Sequence, residues 1–248
     1  MSTYPPTVTP RWRMPVVLIE QGRPSEVVLE LWRGPELVTP SSVTVSILSA
    51  SGSALVEDGV PITVDGRSVY TVTGPVSEDW TLGVGYRIEW TADGRIYDTE
   101  AAVCRRVPSP VVTDADVWAA APHLDPRRAG SSSSTPTNQG LIDEAWVQIQ
   151  TELYNRGRRP WLIIDQANLR EPHLALSLSM IHRTLASRER SDGPMGQLAD
   201  RYGHDYRASM GRLSLRYDDD DDGTADRTRS ASGTLWLVGT PPRRARGS

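Results

Sequence analysis

A chain of 248 residues has room for two domains, and a formal charge of −4 argues against a general polyanion binder. One cysteine, Cys104, excludes an intrachain disulfide framework and a cysteine-rich zinc site. Lys and Phe are absent, so all 27 cations are arginine forks suited to bidentate contacts, and eight Trp and eight Tyr carry the aromatic packing.

The opening stretch MSTYPPTVTPRWRMPVVLIEQG lacks the apolar core of a signal peptide, and no run approaches the roughly 18 apolar residues of a membrane span. With one cysteine, this predicts a soluble protein of a reducing cytoplasm, with no membrane partner. From there to residue 106 the pattern has period two. EVVLELW sets Val27, Leu29 and Leu31 on one face. SSVTVSILS alternates Val43, Val45 and Ile47 with Ser and Thr, and YRIEW opposes Tyr86, Ile88 and Trp90 to Arg87 and Glu89. Such alternation marks half-buried antiparallel strands. Turn pairs punctuate them at Gly34-Pro35, Ser51-Gly52, Asp65-Gly66, Gly74-Pro75 and Asp93-Gly94. YRIEWTADGRIYDTEAAV is the clearest hairpin, since Asp-Gly supplies the positive φ of a tight turn. Six or seven short strands at this spacing predict a small β-sandwich over residues 1–106. LGVGYRIEW resembles the region of strand F in immunoglobulin-like domains, which implies a corner tyrosine at Tyr86.

After residue 106 the period changes to 3.6. VTDADVWAAAP predicts a helix with Thr113 as N-cap, acids in its first turn, and Pro122 at its end. DPRRAGSSSSTPTNQG reads as loop, giving a flexible segment over 126–140. The next helix carries Leu141, Ile142, Ala145, Trp146, Ile149 and Leu153 on one stripe and stops at Gly157. A short apolar element, PWLIIDQANL, precedes a helix with Pro172 near its first turn and Leu174, Leu178, Ile181 and Leu185 at helical spacing. MGQLADRYGHDYRASMGRL reads as a last helix, weakened by Gly196, Gly203 and Gly211. The fold class is therefore α+β and multidomain: an antiparallel β-sandwich at 1–106, a small helical bundle at 107–213, and an acidic loop with an extended arm at 214–248. The halves differ in charge, with 9 Arg against 13 acids in residues 1–110 and 18 against 18 in residues 111–248.

The usual catalytic signatures are missing. There is no H-E-x-x-H, no G-x-S-x-G, no Walker loop, and no G-x-G-x-x-G opening a helix. His123, His173, His182 and His204 read as surface or partly packed histidines, and the nine-residue gap between His173 and His182 is poor for a shared helix face. Arg105 and Arg106 beside Cys104 suit a lowered thiol pKa, but no neighbouring histidine supplies a base. No catalytic residue, and no enzyme, is predicted. YDDDDDGTAD leaves two readings open. From Asp218 the calcium-loop pattern fits Asp220, Asp222, Gly223 and Asp226, yet its twelfth position is Arg229, without the bidentate acid. The competing reading is a solvated acidic turn that binds no cofactor. Beyond it, RSASGTLWLVGTPPRRARGS places Leu235, Trp236, Leu237 and Val238 between polar flanks and ends in Arg243, Arg244 and Arg246. This reads as an arm that buries its apolar centre on a partner.

Three stretches in order resemble the helical head–tail connector (adaptor, or neck) proteins of tailed bacteriophages: PVVTDADVWAAAPHLD at 110–125, LIDEAWVQIQTELYNRGRRPWLIIDQANLREPHLALSLSMIHRTLA at 141–186, and LRYDDDDDGTAD at 215–226. The resemblance implies a structural virion protein assembled in the host cytoplasm. It would form a homo-oligomeric ring, dodecameric like the portal, at the neck. Its partners would be the portal protein, other neck and tail proteins, and double-stranded DNA passing without sequence-specific binding. The added β half departs from that pattern. The alternative is a decoration or baseplate module that binds through this half.

Overall fold

The computed structural model describes residues 8–11, 14–126, 137–187, 193–218 and 224–230. The described residues of its period-two region form ten strands. They are β1 (Thr9–Arg11), β2 (Val16–Glu20), β3 (Ser25–Arg33), β4 (Glu36–Val38), β5 (Val43–Leu48), β6 (Ala54–Gly59), β7 (Ile62–Val64) and β8 (Arg67–Val72). A one-turn helix α1 (Gly74–Ser77) follows, then β9 (Gly83–Ala92) and β10 (Arg95–Cys104). One sheet runs β1-β3-β8-β7, with β4 also on β3, and the other runs β2-β10-β9-β5-β6. Pairing is antiparallel except between β2 and β10. The Asp93-Gly94 turn has φ of 48° and 76°, so both positions are left-handed and the turn matches the twist of β9 and β10. The two sheets pack face to face. Val27, Leu29, Leu31 and Val72 from one meet Val45, Ile47, Ile88, Trp90 and Val103 from the other. Of these, Val27, Leu29, Leu31, Val45, Ile47, Ile88 and Trp90 are inward positions that the alternation selects. Tyr86 enters this core with its ring stacked on Trp80 at 6.2 Å, and its hydroxyl donates to the Thr81 carbonyl at 2.5 Å.

The helical part contains α2 (Asp114–Ala120), α3 (Gln139–Asn155), α4 (Arg170–Ala186) and α5 (Pro194–Arg212). Thr113 caps α2 through Asp116, whose carboxylate accepts from the Thr113 N–H at 2.9 Å and its hydroxyl at 2.9 Å. Arg170, opening α4, donates to the same carboxylate at 2.7 Å and joins the starts of the two helices. Helix α3 stops at Gly157 with φ 71°. There the Gly157 N–H reaches the Tyr154 carbonyl at 2.8 Å and the Arg158 N–H reaches Leu153 at 3.0 Å. This double bond pattern satisfies the last carbonyls of the helix, and glycine permits the left-handed turn. Helix α5 forms despite its glycines because it packs closely on α4. A Cβ at Gly203 would stand 3.3 Å from Ser179 Oγ, and the Ser179 hydroxyl donates to the Ala199 carbonyl at 2.8 Å. The apolar element between α3 and α4 becomes two 3-10 turns, at Pro160–Leu162 and Gln166–Leu169. Strands β11 (Ser214–Tyr217) and β12 (Arg227–Ser230) then pair antiparallel.

The halves share an apolar cluster across residue 106. Val16, Ala102 and Cys104 of the second sheet pack with Trp146, Ile149, Leu153, Trp161, Leu162, Ile163, Met210, Leu215 and Tyr217. Strand β10 is buried on both faces here: Ala101 and Val103 face the first sheet, while Ala102 and Cys104 face the helices. Continuous burial explains why AAVC departs from alternation. Polar ties cross the same seam. The Val107 N–H donates to the Glu20 carboxylate at 3.1 Å, and the Trp146 indole donates to the Pro108 carbonyl at 3.4 Å.

Candidate functional site

The aspartate run lies between the two strands of the β11–β12 hairpin. Leu215 and Tyr217 face the helical core, while Ser214 and Arg216 are exposed. The hairpin is also tied to the turn before α4: Ile163 bridges Tyr217, the Ile164 N–H donates to Arg216 at 3.1 Å, and the Asp218 N–H donates to Leu162 at 2.9 Å. Asp218, the first acid of the run, is only 4% exposed. Asp226 lies at the far end, where its N–H donates to the Tyr217 carbonyl at 2.9 Å. Residues 219–223, with Asp220 and Asp222, lie outside the described residues. The segment 227–230, read from sequence as part of the arm, returns as β12 instead.

A hollow of about 370 Å³ opens beside Asp218. Its walls come from Trp161, Leu162, Ile163 and Ile164, and Arg105 and Arg106 also line it. Two guanidinium groups and a carboxylate therefore stand over an apolar floor. Among the described residues, no three His, Cys, Asp or Glu side chains gather at metal-binding distance. Cys104 is fully buried and its thiol faces the Ile19 carbonyl at 3.6 Å. That enclosure keeps reagents from the sulfur despite the neighbouring arginines.

Sequence reasoning missed the burial of the histidines. His182 is fully enclosed, and its Nδ1 lies 2.7 Å from the Leu178 carbonyl. A carbonyl only accepts, so Nδ1 carries the proton. Nε2 of the neutral ring is then an acceptor, filled by His123 Nε2 at 3.0 Å. His182 also packs on Tyr202, ring centres 5.3 Å apart. His173, likewise fully buried, donates from Nε2 to the Ile142 carbonyl at 2.9 Å, while its Nδ1 has no hydrogen-bond partner among the described residues. The two histidines do lie on different faces of α4, as their nine-residue spacing requires. The partner 59 positions away, His123, gave no local signal. Burial pulls both rings below the usual histidine range, against the hydrogen bonds to Ile142 and Leu178, and His123 lowers His182 further. The folded chain therefore binds fewer protons than the unfolded chain, whose histidines titrate near 6.5. Stability is expected to be full above about pH 6.5 and to fall as pH drops below it. Thermal melts from pH 8 to pH 5 test this. His173→Gln with His182→Asn keeps both donated bonds, and it should flatten the decline.

Leu235, Trp236, Leu237, Val238, Arg243, Arg244 and Arg246, read from sequence as a docking arm, lie outside the described residues. Among the described residues, no helix is long and apolar enough to cross a membrane. No family model matches the chain, and no curated protein shows significant similarity to it.

Proposed function

We propose that the chain is a structural virion protein, a head–tail adaptor that forms a ring under the portal, extends the DNA channel and joins capsid to tail. The observation that carries this reading is the convergence of the three adaptor-like stretches on one helical body. The first supplies Val112, Val117 and Ala121, which pack against Ile142, Leu178 and Ile181 of the second. The third supplies Leu215 and Tyr217, which pack against Trp146, Trp161 and Met210. The second stretch thus packs against the first in one cluster and against the third in another. In this reading β11–β12 is the base from which residues 231–248 reach the portal or a neighbouring subunit. Balanced charge in residues 111–248, 18 Arg against 18 acids, suits a channel through which DNA slides without being held.

In the same reading the β half is an immunoglobulin-like sandwich on the outside of the neck. Support comes from the strand orders, the parallel β2–β10 pair among antiparallel neighbours, and the Tyr86 hydroxyl bound to the backbone five residues upstream at Thr81.

The test is mass photometry of the purified chain, alone and co-expressed with the portal of its own genome. A ring, or a portal complex of matching symmetry, is expected. Deleting 231–248 while keeping β12 should reduce capture at least tenfold and leave the melting temperature nearly unchanged. Equal capture by the shortened chain would remove the arm from the mechanism.

One observation favours a binding module instead. Ile62, on the edge strand β7, is 64% exposed, Val64 of the same strand is also exposed, and Val60, just before it, is 78% exposed. This apolar rim is a candidate contact of a decoration or baseplate protein. Ile62→Asp should abolish virion attachment if that reading holds, and leave portal capture intact if the adaptor reading holds.

A further inference from the structure

Strand β2 is an edge strand: it pairs with β10, and among the described residues no strand pairs with its other side. Its backbone polarity is fixed by two bonds. The Gln21 N–H points to β10, donating to the Cys104 carbonyl at 2.9 Å, whereas the Glu20 N–H points away and is capped by Ser25 Oγ at 2.8 Å. Successive amides alternate along a strand, so the backbone groups of Leu18 and Val16 also face the open side. A groove of about 300 Å³ runs beside that edge, and its apolar lining includes Met14, Leu18, Val28, Val107 and Pro108. Two carboxylates, Glu26 and Glu30, line it as well, together with Arg11, whose guanidinium is engaged over the Trp32 ring at 4.3 Å and by the Gly34 carbonyl at 3.3 Å. Glu30 is ion-paired with Arg67 at 2.9 Å, while Glu26 is exposed. Unpaired backbone groups beside an apolar trough and an exposed acid suit an added strand with apolar side chains and basic flanks.

The chain contains such a segment. Leu235, Trp236, Leu237 and Val238 form a continuous apolar run, and residues 231–248 contain Arg243, Arg244 and Arg246 but no Asp or Glu. We propose that residues 234–238 of one copy add as a strand to the open edge of β2 in a neighbouring copy, with one of the following arginines, Arg243, Arg244 or Arg246, facing Glu26. This rests on the ring reading for the source of the strand, and it names the partner of the arm as another copy of this chain instead of the portal. The edge at β7 is a weaker acceptor, because it is only three residues long and its apolar side chains Ile62 and Val64 project into solvent.

Full-length chains test it by cross-linking. One tagged chain carries Val28→Cys on the groove wall, and a second carries Leu237→Cys. Both also carry Cys104→Ala, to leave one thiol each. Mixed under mild oxidation, they should form a disulfide-linked heterodimer at least ten times faster than a pair in which Leu237→Cys is replaced by Ser248→Cys. Adding Glu26→Arg to the Val28→Cys chain should slow the reaction several-fold. A chain bearing both cysteines that closes only on itself would overturn transfer between copies. Equal rates for the 237 and 248 positions would overturn docking altogether. Mass photometry of the same samples separates the two ideas: linkage without rings keeps the strand contact and removes the ring, and rings without linkage do the reverse.

Discussion

Trp146→Ala should destabilise the whole chain by about 3–5 kcal/mol, the usual cost of removing a buried indole whose space cannot fully collapse. The side chain is buried in the seam with Val16, Ala102 and Cys104 on the sheet side and Ile149, Leu153 and Met210 on the helical side. The substitution also frees the Pro108 carbonyl from its indole donor and removes the ring packed 5.1 Å from His173. For a protein of this size the loss corresponds to a fall in melting temperature of roughly 10 °C. The location makes a second expectation. Because one cluster contains residues from both halves, sheets and helices should melt together in one calorimetric transition, and the whole transition should move. Two transitions, with only the helical one shifted, would mean that the seam is too weak to couple the halves.

That coupling marks where the sequence was informative and where it was not. Alternation selected Val27, Leu29, Val45, Ile47, Ile88 and Trp90 correctly, because a strand with one buried face writes its environment into period two. The Asp93-Gly94 turn, the Thr113 cap and the Gly157 stop were equally legible, since each depends on a few adjacent residues. Contacts between distant segments were not. Nothing local in AAVC says what covers its second face, and nothing near His182 points to His123. Helix α5 was undervalued because propensity counts the cost of glycine, whereas close packing against Ser179 makes small size useful at Gly203. The candidate site was half legible. The acidic run was visible as composition, but its position between β11 and β12 depends on Arg227–Ser230 pairing back onto Ser214–Tyr217. Polar and charged residues at 227–230 carry no strand signal of their own. The strand forms there because the tethered β11 offers a backbone template.

Leu215→Ala should release that hairpin while the rest of the chain stays folded. Leu215 is fully buried and is the main aliphatic contact of β11 with the helical core. Its truncation costs about 2–5 kcal/mol. A two-stranded hairpin is marginal alone, so the cost falls first on local opening of β11 and β12. Two backbone hydrogen bonds remain, from the Ile164 N–H to Arg216 and from the Asp218 N–H to Leu162, and together they make the single Ile163–Tyr217 bridge at the margin of the core. Limited proteolysis after Arg216, Arg227 and Arg229 reads the opening directly. A 2 kcal/mol loss corresponds to about 30-fold faster cleavage when opening and closing are fast. Arg216→Ala would remove one of the scissile sites, so Ser214→Ala, at an exposed position of the same strand, is the control and should leave the rate near that of the parent. The functional consequence follows from the hairpin's place between the helical core and residues 231–248. If the chain is the adaptor proposed above, an arm on an unlatched base has more conformations to lose on docking, so capture by portal or neighbour should weaken at temperatures where the remaining fold is intact. If Leu215→Ala lowers the melting temperature but leaves cleavage in 214–230 unchanged, the hairpin opens only with the whole core, and the arm is mounted on the most stable part of the molecule.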